Sequence, residues 1–287
     1  MPRPTLPTVR FRPEKDLRGR VVAITGAGSG IGRALALACA QRGARLALSD
    51  ISEDGLAQTV RLVESAGAAA QSRVLDVSDA EAMDAWAAEV HAHYGVVNVL
   101  FSNAGVSLTG DFADLPLADM QWIVGINFWG VVHSTRSFLP HLIASGEGHV
   151  VTISSLFGLL SMPSQSMYNA TKFAVRGLSE SLREEMLVAG HPVDVTVVHP
   201  GGIKTSIVRS GRFSEQTDAA TTTTHFDQKL ARLTPDQAAE IILSGVVRRK
   251  PRVLVGIDAH LVHNMARFVG ARYQDIVAKA AAAGGMP

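Results

Sequence analysis

Residues 21–32 read Val-Val-Ala-Ile-Thr-Gly-Ala-Gly-Ser-Gly-Ile-Gly, a short apolar run that passes directly into four glycines within seven residues. The run predicts a buried strand, and the apolar periodicity of residues 31–41 predicts a helix after it. Glycines at such a turn let backbone N–H groups approach a pyrophosphate, whose negative charge the helix N-terminus favours. The spacing is Gly-x-x-x-Gly-x-Gly rather than GxGxxG, and any tight connection can use glycine. We interpret the stretch as a dinucleotide-binding turn.

Short apolar runs and longer amphipathic segments alternate along most of the chain. Most of the runs are apolar throughout, which is typical of strands buried on both faces. The predicted strands span residues 21–25, 45–49, 72–75, 97–102, 149–154, 193–199 and 252–255. The predicted helices span residues 31–41, 53–64, 79–94, 117–144, 166–188 and 235–247. This alternation predicts an α/β fold of the Rossmann type, doubly wound, with a mostly parallel seven-stranded sheet and helices on both faces.

The chain divides by composition into an arm and one domain. Residues 1–17 are polar and proline-rich and are predicted to form an extended arm. Residues 18–287 are predicted to form a single dinucleotide-binding catalytic domain. Within it, residues 201–234 lack clear periodicity and predict a substrate loop, because structureless stretches of that length often serve as lids. Residues 257–287 continue past the last predicted strand as a C-terminal extension.

Composition and charge exclude several classes of function. The 287 residues are 47% hydrophobic and carry a formal net charge of +1, so we expect no nucleic-acid partner. No stretch is apolar enough for a membrane span, and a single cysteine, Cys39, suits a reducing compartment. We therefore expect a cytoplasmic protein. The ten histidines form no metal-ligand motif, and we expect no metal.

Asp50 ends the second predicted strand. In dinucleotide-binding folds an acid at this place accepts hydrogen bonds from the adenosine ribose and repels a 2′-phosphate. The alternative is that Asp50 and Ser52 only begin the next helix. We predict NAD as the cofactor and regard NADP as less favoured.

Tyr168 and Lys172 lie four residues apart in a predicted helix and therefore share one face. A cation near a phenol favours the phenolate, so Lys172 would make Tyr168 an acid/base near neutral pH. Taken alone, the spacing is common and favours an ordinary pair in which the lysine extends its ammonium to solvent beside the tyrosine.

Other motif residues surround this pair in the sequence. Most follow predicted strands at their carboxyl ends, where open α/β sheets bind ligands. These residues are Asn103, Ala104, Gly105, Ser155, Pro200, Gly201 and Thr205. Asn127 lies instead inside a predicted helix.

From about Leu17 to about Gly256, the glycine turn, these residues and the YNATK motif resemble the single-domain short-chain dehydrogenase/reductase family in order and spacing. The resemblance implies that the pyrophosphate contacts the glycine turn, namely Gly26, Ser29, Gly30, Ile31 and Gly32. It implies that Asp76 and Val77 flank the adenine and that Asn103 stabilises the sheet beside the cofactor. The remaining cofactor contacts would come from Asp50, Ala104, Gly105, Tyr168, Lys172, Pro200, Gly201 and Thr205.

The resemblance also implies the catalytic roles. Ser155 would hold the substrate oxygen and Tyr168 would exchange the proton. Lys172 would bind the nicotinamide ribose and lower the pKa of Tyr168, and Asn127 would hold a water that links Lys172 to solvent.

The substrate pocket is predicted to be apolar, since apolar residues follow Ser155 and recur in the loop. We expect it to be lined by Ser155, Phe157, Leu160, Tyr168 and Ile207. The same loop holds Lys204, Arg209 and Arg212, which could instead face an anion.

The predicted activity is NAD-dependent hydride transfer between nicotinamide and a secondary alcohol or ketone that is bulky and apolar. A 3-oxoacyl thioester reductase is the alternative, although such enzymes usually prefer NADPH. A non-catalytic NAD-binding protein is a third possibility that Ser155, Tyr168 and Lys172 disfavour. The apolar surface that Trp122 and Trp129 add to the helix at residues 117–144 predicts a homo-oligomer, a dimer or tetramer.

Overall fold

The computed structural model of the chain describes residues 14–283, apart from the side chain of Lys229. Seven parallel strands form its main sheet: β1 (Val21–Thr25), β2 (Arg45–Asp50), β3 (Ala70–Val74), β4 (Val99–Ser102), β6 (Gly148–Ile153), β7 (Val193–Pro200) and β9 (Arg252–Val255). Two further short strands pair with each other, β5 (Leu108–Thr109) and β8 (Arg212–Phe213). The main sheet has the order β3-β2-β1-β4-β6-β7-β9. This confirms the predicted Rossmann-type, doubly wound architecture.

Helices cover both faces of the sheet. One face is packed by α1 (Gly30–Gln41), α2 (Glu53–Ser65) and α8 (Pro235–Val247). The other is packed by α3 (Ala80–Tyr94), α5 (Gly130–Ala144) and α6 (Ser166–Val188). Successive residues of β1 belong to the two cores in turn, because side chains alternate across a strand: Val22 contributes to one core and Val21 to the other.

The remaining helices are α4 (Leu117–Val124), α7 (Ala219–His225), α9 (Ile257–Val269) and α10 (Tyr273–Ala283). The order of the strands reverses between β1 and β4. Open α/β sheets bind ligands beside such a reversal, at the carboxyl ends of the strands. The glycine turn after β1 and the residues after β4, β6 and β7 all lie at this edge.

Three segments differ from the sequence-based expectation. The helix predicted at residues 117–144 contains a π-helical turn, Gly125–Trp129, between α4 and α5. The loop at residues 201–234 contains β8, α7 and a second π-helical turn, Phe226–Leu230. The extension after β9 forms α9 and α10, which the sequence reasoning did not predict.

Residues 14–17, which we assigned to the arm, pack against the domain. Leu17 is buried in the core, and the Lys15 ammonium donates to the Gly148 carbonyl over 2.9 Å and pairs with Asp194 at 3.3 Å. Residues 1–13, the rest of the predicted arm, lie outside the described residues, as do residues 284–287. Within residues 14–283, no helix has the length and apolar character that a bilayer crossing requires.

Candidate active site

A cavity of about 750 Å³ opens at the carboxyl ends of the strands. Nearly all of the predicted site residues line it. They are Gly26, Ser29, Gly30, Ile31, Asp50, Asp76, Val77, Asn103, Ala104, Gly105, Ser155, Phe157, Leu160, Tyr168, Lys172, Pro200, Gly201, Thr205 and Ile207. Gly32 and Asn127 are not among the lining residues.

The glycine turn needs its glycines for two physical reasons. Gly30 has φ +51, a conformation that side chains disfavour. A Cβ on Gly32 would lie 2.0 Å from the Gly26 carbonyl oxygen, so no larger residue fits behind the turn. Gly32 therefore permits the close approach of α1 to the Gly26 carbonyl. It is not among the residues that line the cavity, which differs from the pyrophosphate contact that we predicted for it.

Asparagine 103 ties the turn to the neighbouring strand. Its amide Nδ2 donates to the Thr25 carbonyl over 2.9 Å and to the Gly26 carbonyl over 3.1 Å. These bonds hold the end of β1 against the residues that follow β4. The geometry fits the stabilising role that the resemblance implied for Asn103.

The Asp50 carboxylate is fixed beside the glycine turn. One of its oxygens accepts the Gly28 N–H over 2.7 Å, and the other accepts the Ser52 N–H over 2.8 Å. Both bonds place a negative charge at the end of the cavity lined by Asp76 and Val77.

Arg33 is the basic residue nearest to the turn in sequence, and its guanidinium is already engaged. It donates to the Thr59 hydroxyl over 3.0 Å, to the Gly55 carbonyl over 3.2 Å and to the Gly28 carbonyl. These partners lie within the turn and α2. The arginine therefore braces the turn instead of presenting its charge to the cavity.

Ser155, Tyr168 and Lys172 meet at the opposite end of the cavity. Ser155 follows β6 and accepts the Phe157 N–H over 3.1 Å, while Tyr168 and Lys172 face the cavity from α6. The Lys172 ammonium donates to the Ile153 carbonyl over 3.0 Å. The strand end and the helix thus bring a hydroxyl, a phenol and an ammonium together.

Burial controls the ionisation of this group. Burial raises the pKa of Tyr168 to about 12, and a hydrogen bond with Ser155 opposes the rise. Burial also lowers the pKa of Lys172 to about 8. The lowered phenol pKa that we expected from the sequence is not found, because desolvation of the phenolate outweighs the opposing contacts. Tyr168 is therefore protonated at neutral pH, the form that donates a proton.

Asn127 lies behind the catalytic group, fully buried in the first π-helical turn. Its side-chain oxygen accepts the Val106 N–H over 2.8 Å, and its Nδ2 donates to the Val106 carbonyl over 2.9 Å. The π-helical turn interrupts the regular bonding of the helix, and such turns occur frequently at functional sites. Asn127 fixes the segment after Gly105, which lines the cavity beside Lys172.

Two arginines of the substrate loop pair with acidic residues. Arg209 pairs with Asp227 at 2.6 Å. Arg212 pairs with Asp119 at 2.6 Å and lies 4.0 Å from the centroid of the Trp122 ring. Lys204 is exposed, and none of the three lines the cavity.

Several lining residues were missed by the sequence reasoning. Asp258, Val262 and Met265 lie on α9, and Val277 and Ala281 lie on α10. The four apolar residues of this set have no signal in the sequence besides apolar spacing within the extension, which is the same signal that core packing gives.

A Rossmann-type sheet with a serine, tyrosine and lysine group beside a nucleotide-binding turn defines a nucleotide-dependent oxidoreductase. A family model described as short chain dehydrogenase matches residues 20–216. A protein of Mycobacterium tuberculosis (strain H37Rv) that is named as the oxidoreductase SadH is 51% identical over 263 residues, covering 92% of this chain and 95% of that protein. The chain belongs to the short-chain dehydrogenase/reductase family.

Solved structures agree with this assignment. A short chain dehydrogenase/reductase from Burkholderia phymatum in complex with NAD has a TM-score of 0.82 and 31% identity, covering 92% of this chain and 96% of that chain. An alcohol dehydrogenase from Thermococcus sibiricus complexed with 5-hydroxy-NADP has a TM-score of 0.70 and 26% identity, covering 83% and 95%. Structures similar to this chain therefore include one with NAD and one with an NADP derivative.

Proposed function

We propose that the protein is an NAD-dependent enzyme that interconverts a bulky, apolar secondary alcohol and its ketone. One observation carries this proposal: a single cavity joins the Asp50 carboxylate at one end to Ser155, Tyr168 and Lys172 at the other. The first end suits a ribose without a 2′-phosphate, and the second suits proton exchange with a substrate oxygen.

The residues around the cavity fit an extended dinucleotide. The glycine turn brings backbone N–H groups to the cavity at the N-terminus of α1, which favours a pyrophosphate. Asp50 would bind the adenosine ribose, Asp76 and Val77 would flank the adenine, and Lys172 would bind the nicotinamide ribose. Thr205 lies across from the turn, since a Cβ on Gly30 would be 3.1 Å from its methyl group. When bound, the nicotinamide supplies or accepts the hydride.

The chain's own groups manage the substrate oxygen and its proton. The Ser155 hydroxyl would hold the oxygen, and the Tyr168 phenol would donate its proton as a ketone becomes an alcohol. In the reverse direction the same phenolic oxygen accepts the proton. Lys172 places a positive charge beside the phenol and favours the phenolate that remains after proton donation. Asn127 positions the cavity wall beside Lys172.

Preference for NAD over NADP follows from charge. A 2′-phosphate would meet the fixed Asp50 carboxylate, and like charges at short range repel. Arg33, the cation that could offset this, is bonded to Gly28, Gly55 and Thr59. The same preference weighs against the alternative of a 3-oxoacyl thioester reductase.

An uncharged substrate follows from the loop. Arg209 and Arg212 are paired with acids away from the cavity, while Val208, Phe157, Leu160 and Ile207 line it. None of the loop lysines and arginines whose side chains the structure describes lines the cavity, so an anionic substrate would meet none of those cations there.

The proposal is tested by a panel of secondary alcohols, ketones, hydroxy acids and 3-oxoacyl thioesters, followed through the absorbance of NADH and NADPH. Fastest turnover of an apolar ketone with NADH supports it. Fastest turnover of a thioester with NADPH would establish the alternative instead.

A further inference from the structure

The helices α9 and α10, beyond the last strand of the sheet, form one wall of the cavity. Val262 and Met265 face it from α9, and Val277 and Ala281 face it from α10. The spacings of three and four residues place each pair on one side of its helix. All four side chains are apolar, so this wall offers hydrocarbon contact without a hydrogen bond.

Both helices are attached near their first residues to the segments that carry the active site. The Asp258 carboxylate of α9 accepts the Gly202 N–H over 2.7 Å. At the start of α10, the Tyr273 hydroxyl accepts the Ser161 N–H over 3.1 Å. One contact fixes the segment after β7 and the other fixes the segment after Ser155. These two hydrogen bonds therefore fix the position of α9 and α10 relative to Ser155, Tyr168 and Lys172.

Burial separates the inner side of the wall from its outer side. Ala281 is only 7% exposed, although Lys279 and the residues on either side of Ala281 are exposed. On the outer side, Phe268 is 84% exposed and Ile276 is 47% exposed. The inner side chains border a cavity large enough to receive a ligand.

None of the four side chains of this wall can pair with an anion. Asp258, the ionisable residue that α9 adds to the cavity lining, is itself negative and is bonded to Gly202, and His225 of α7 lines the same cavity. A carboxylate or phosphate placed against the four apolar side chains would lose water without gaining a partner there.

We propose that α9 and α10 form a subsite for an extended hydrocarbon substituent of the substrate, with Val262, Met265, Val277 and Ala281 as its contacts. The inference rests on the proposed function, which places the reacting carbon at Ser155 and Tyr168. The class of substrate is then a secondary alcohol or ketone with an uncharged hydrocarbon chain. Met265 is suited to this contact, because its flexible side chain adapts to chains of different shape.

The test is a series of straight-chain 2-alkanols of increasing length with NAD. For the wild-type protein, kcat/KM should rise by up to about fourfold for each methylene that the wall buries. Ala281→Phe places a ring in the subsite and should end the rise at a shorter chain. The ratio of kcat/KM for a long alcohol to that for the shortest alcohol should therefore be smaller in this variant than in the wild-type protein.

Two further variants complete the design. Met265→Ala removes contact area, so the rise of kcat/KM with chain length should become shallower than in the wild-type protein. Met265→Ala still tests the subsite if Ala281→Phe does not fold. Phe268→Ala alters an outward side chain of the same helix and should follow the wild-type profile throughout.

If kcat/KM rises with chain length in Ala281→Phe and Met265→Ala as steeply as in the wild-type protein, the proposed subsite is contradicted. Failure of the proposed function is distinguishable, because the wild-type protein would then not oxidise the 2-alkanols with NAD. In that event calorimetric binding of 2-alkanones to the NADH-saturated protein gives the same comparison without turnover. A dissociation constant that decreases with chain length in the wild-type protein, but not in Ala281→Phe, supports the subsite. The same decrease in both proteins contradicts it.

Discussion

The Lys172 ammonium lies 5.6 Å from the centroid of the Tyr168 ring, one turn away on the same helix. Both side chains are buried, and burial disfavours the charged form of each: it raises the pKa of Tyr168 and lowers that of Lys172. The phenolate of Tyr168 and the ammonium of Lys172 are therefore charges that would stabilise each other. A proton that leaves Tyr168 would create an anion beside the one ammonium in position to stabilise it among the described lining residues.

Replacing Asp50 should change the choice of cofactor. Asp50→Ala removes the charge that would repel a 2′-phosphate, so the ratio of kcat/KM for NAD to that for NADP should fall toward one. Asp50→Asn is the matched control for shape, since it removes the charge but keeps one hydrogen-bond acceptor. Steady-state kinetics with both cofactors measure the ratio. A wild-type protein that uses NADPH faster than NADH at equal concentration would be incompatible with this account.

Two buried histidines should make the fold sensitive to acid. Burial, reinforced by the charge of Lys15, lowers the pKa of His149 to about 3, and burial lowers that of His199 to about 4. Between those values and 6.5, the unfolded chain binds protons that the folded chain does not. The free energy of unfolding should therefore fall as pH drops below about 6.5, by up to about 1.4 kcal/mol per pH unit for each histidine.

Urea denaturation at pH 7 and pH 5 measures this effect. His149→Gln should lose less stability between the two pH values than wild type. His93→Gln, a change at an exposed histidine, is the control and should behave as wild type does. Equal losses in wild type and His149→Gln would show that His149 does not carry the acid sensitivity.

The outer face of α5 and α6 predicts self-association. A groove there is lined by Leu139, Ile143 and Leu178, and Trp129 and Phe173 nearby are 49% and 39% exposed. Trp122, which we also assigned to an interface, has the guanidinium of Arg212 4.0 Å from its ring centroid. We expect a homo-oligomer whose interface includes this face, because exposed apolar surface of this kind marks protein contacts.

Light scattering at micromolar concentration checks the assembly. The wild-type protein should have the mass of a dimer or tetramer, and Phe173→Glu should shift it toward the monomer. Phe268→Glu, at an exposed phenylalanine away from the groove, should not. A monomeric wild type would refute the interface.

The regular elements were predictable because their burial leaves a clear pattern. β1, β9 and α6 have the predicted bounds. β1 is buried throughout and α6 has one apolar face, and these two patterns have distinct periodicities. The edge strand β3 begins two residues earlier than predicted. Its register is set by pairing with β2, and its own residues are only partly buried.

The site residues could be predicted where the chemistry requires one residue type. They could not be predicted where packing determines which side chains face the cavity. Ser155, Tyr168 and Lys172 were identified by their motif and spacing, and the structure brings them together. The predicted direction of the Tyr168 pKa shift was wrong, because the shift depends on burial that sequence spacing does not report. The wall residue Met265 was missed because an apolar residue facing a cavity has the same sequence pattern as one facing a core.

The account depends most directly on Tyr168 as the proton donor. Transfer of hydride from NADH to an apolar ketone should be measured in a single turnover with wild type and Tyr168→Phe, alongside NADH binding by fluorescence. Removing the phenol should slow the transfer by about 10²- to 10⁴-fold, because general acid catalysis contributes an effect of that size, and should leave NADH affinity almost unchanged. A Tyr168→Phe protein that reduces the ketone at close to the wild-type rate would contradict the proposed mechanism.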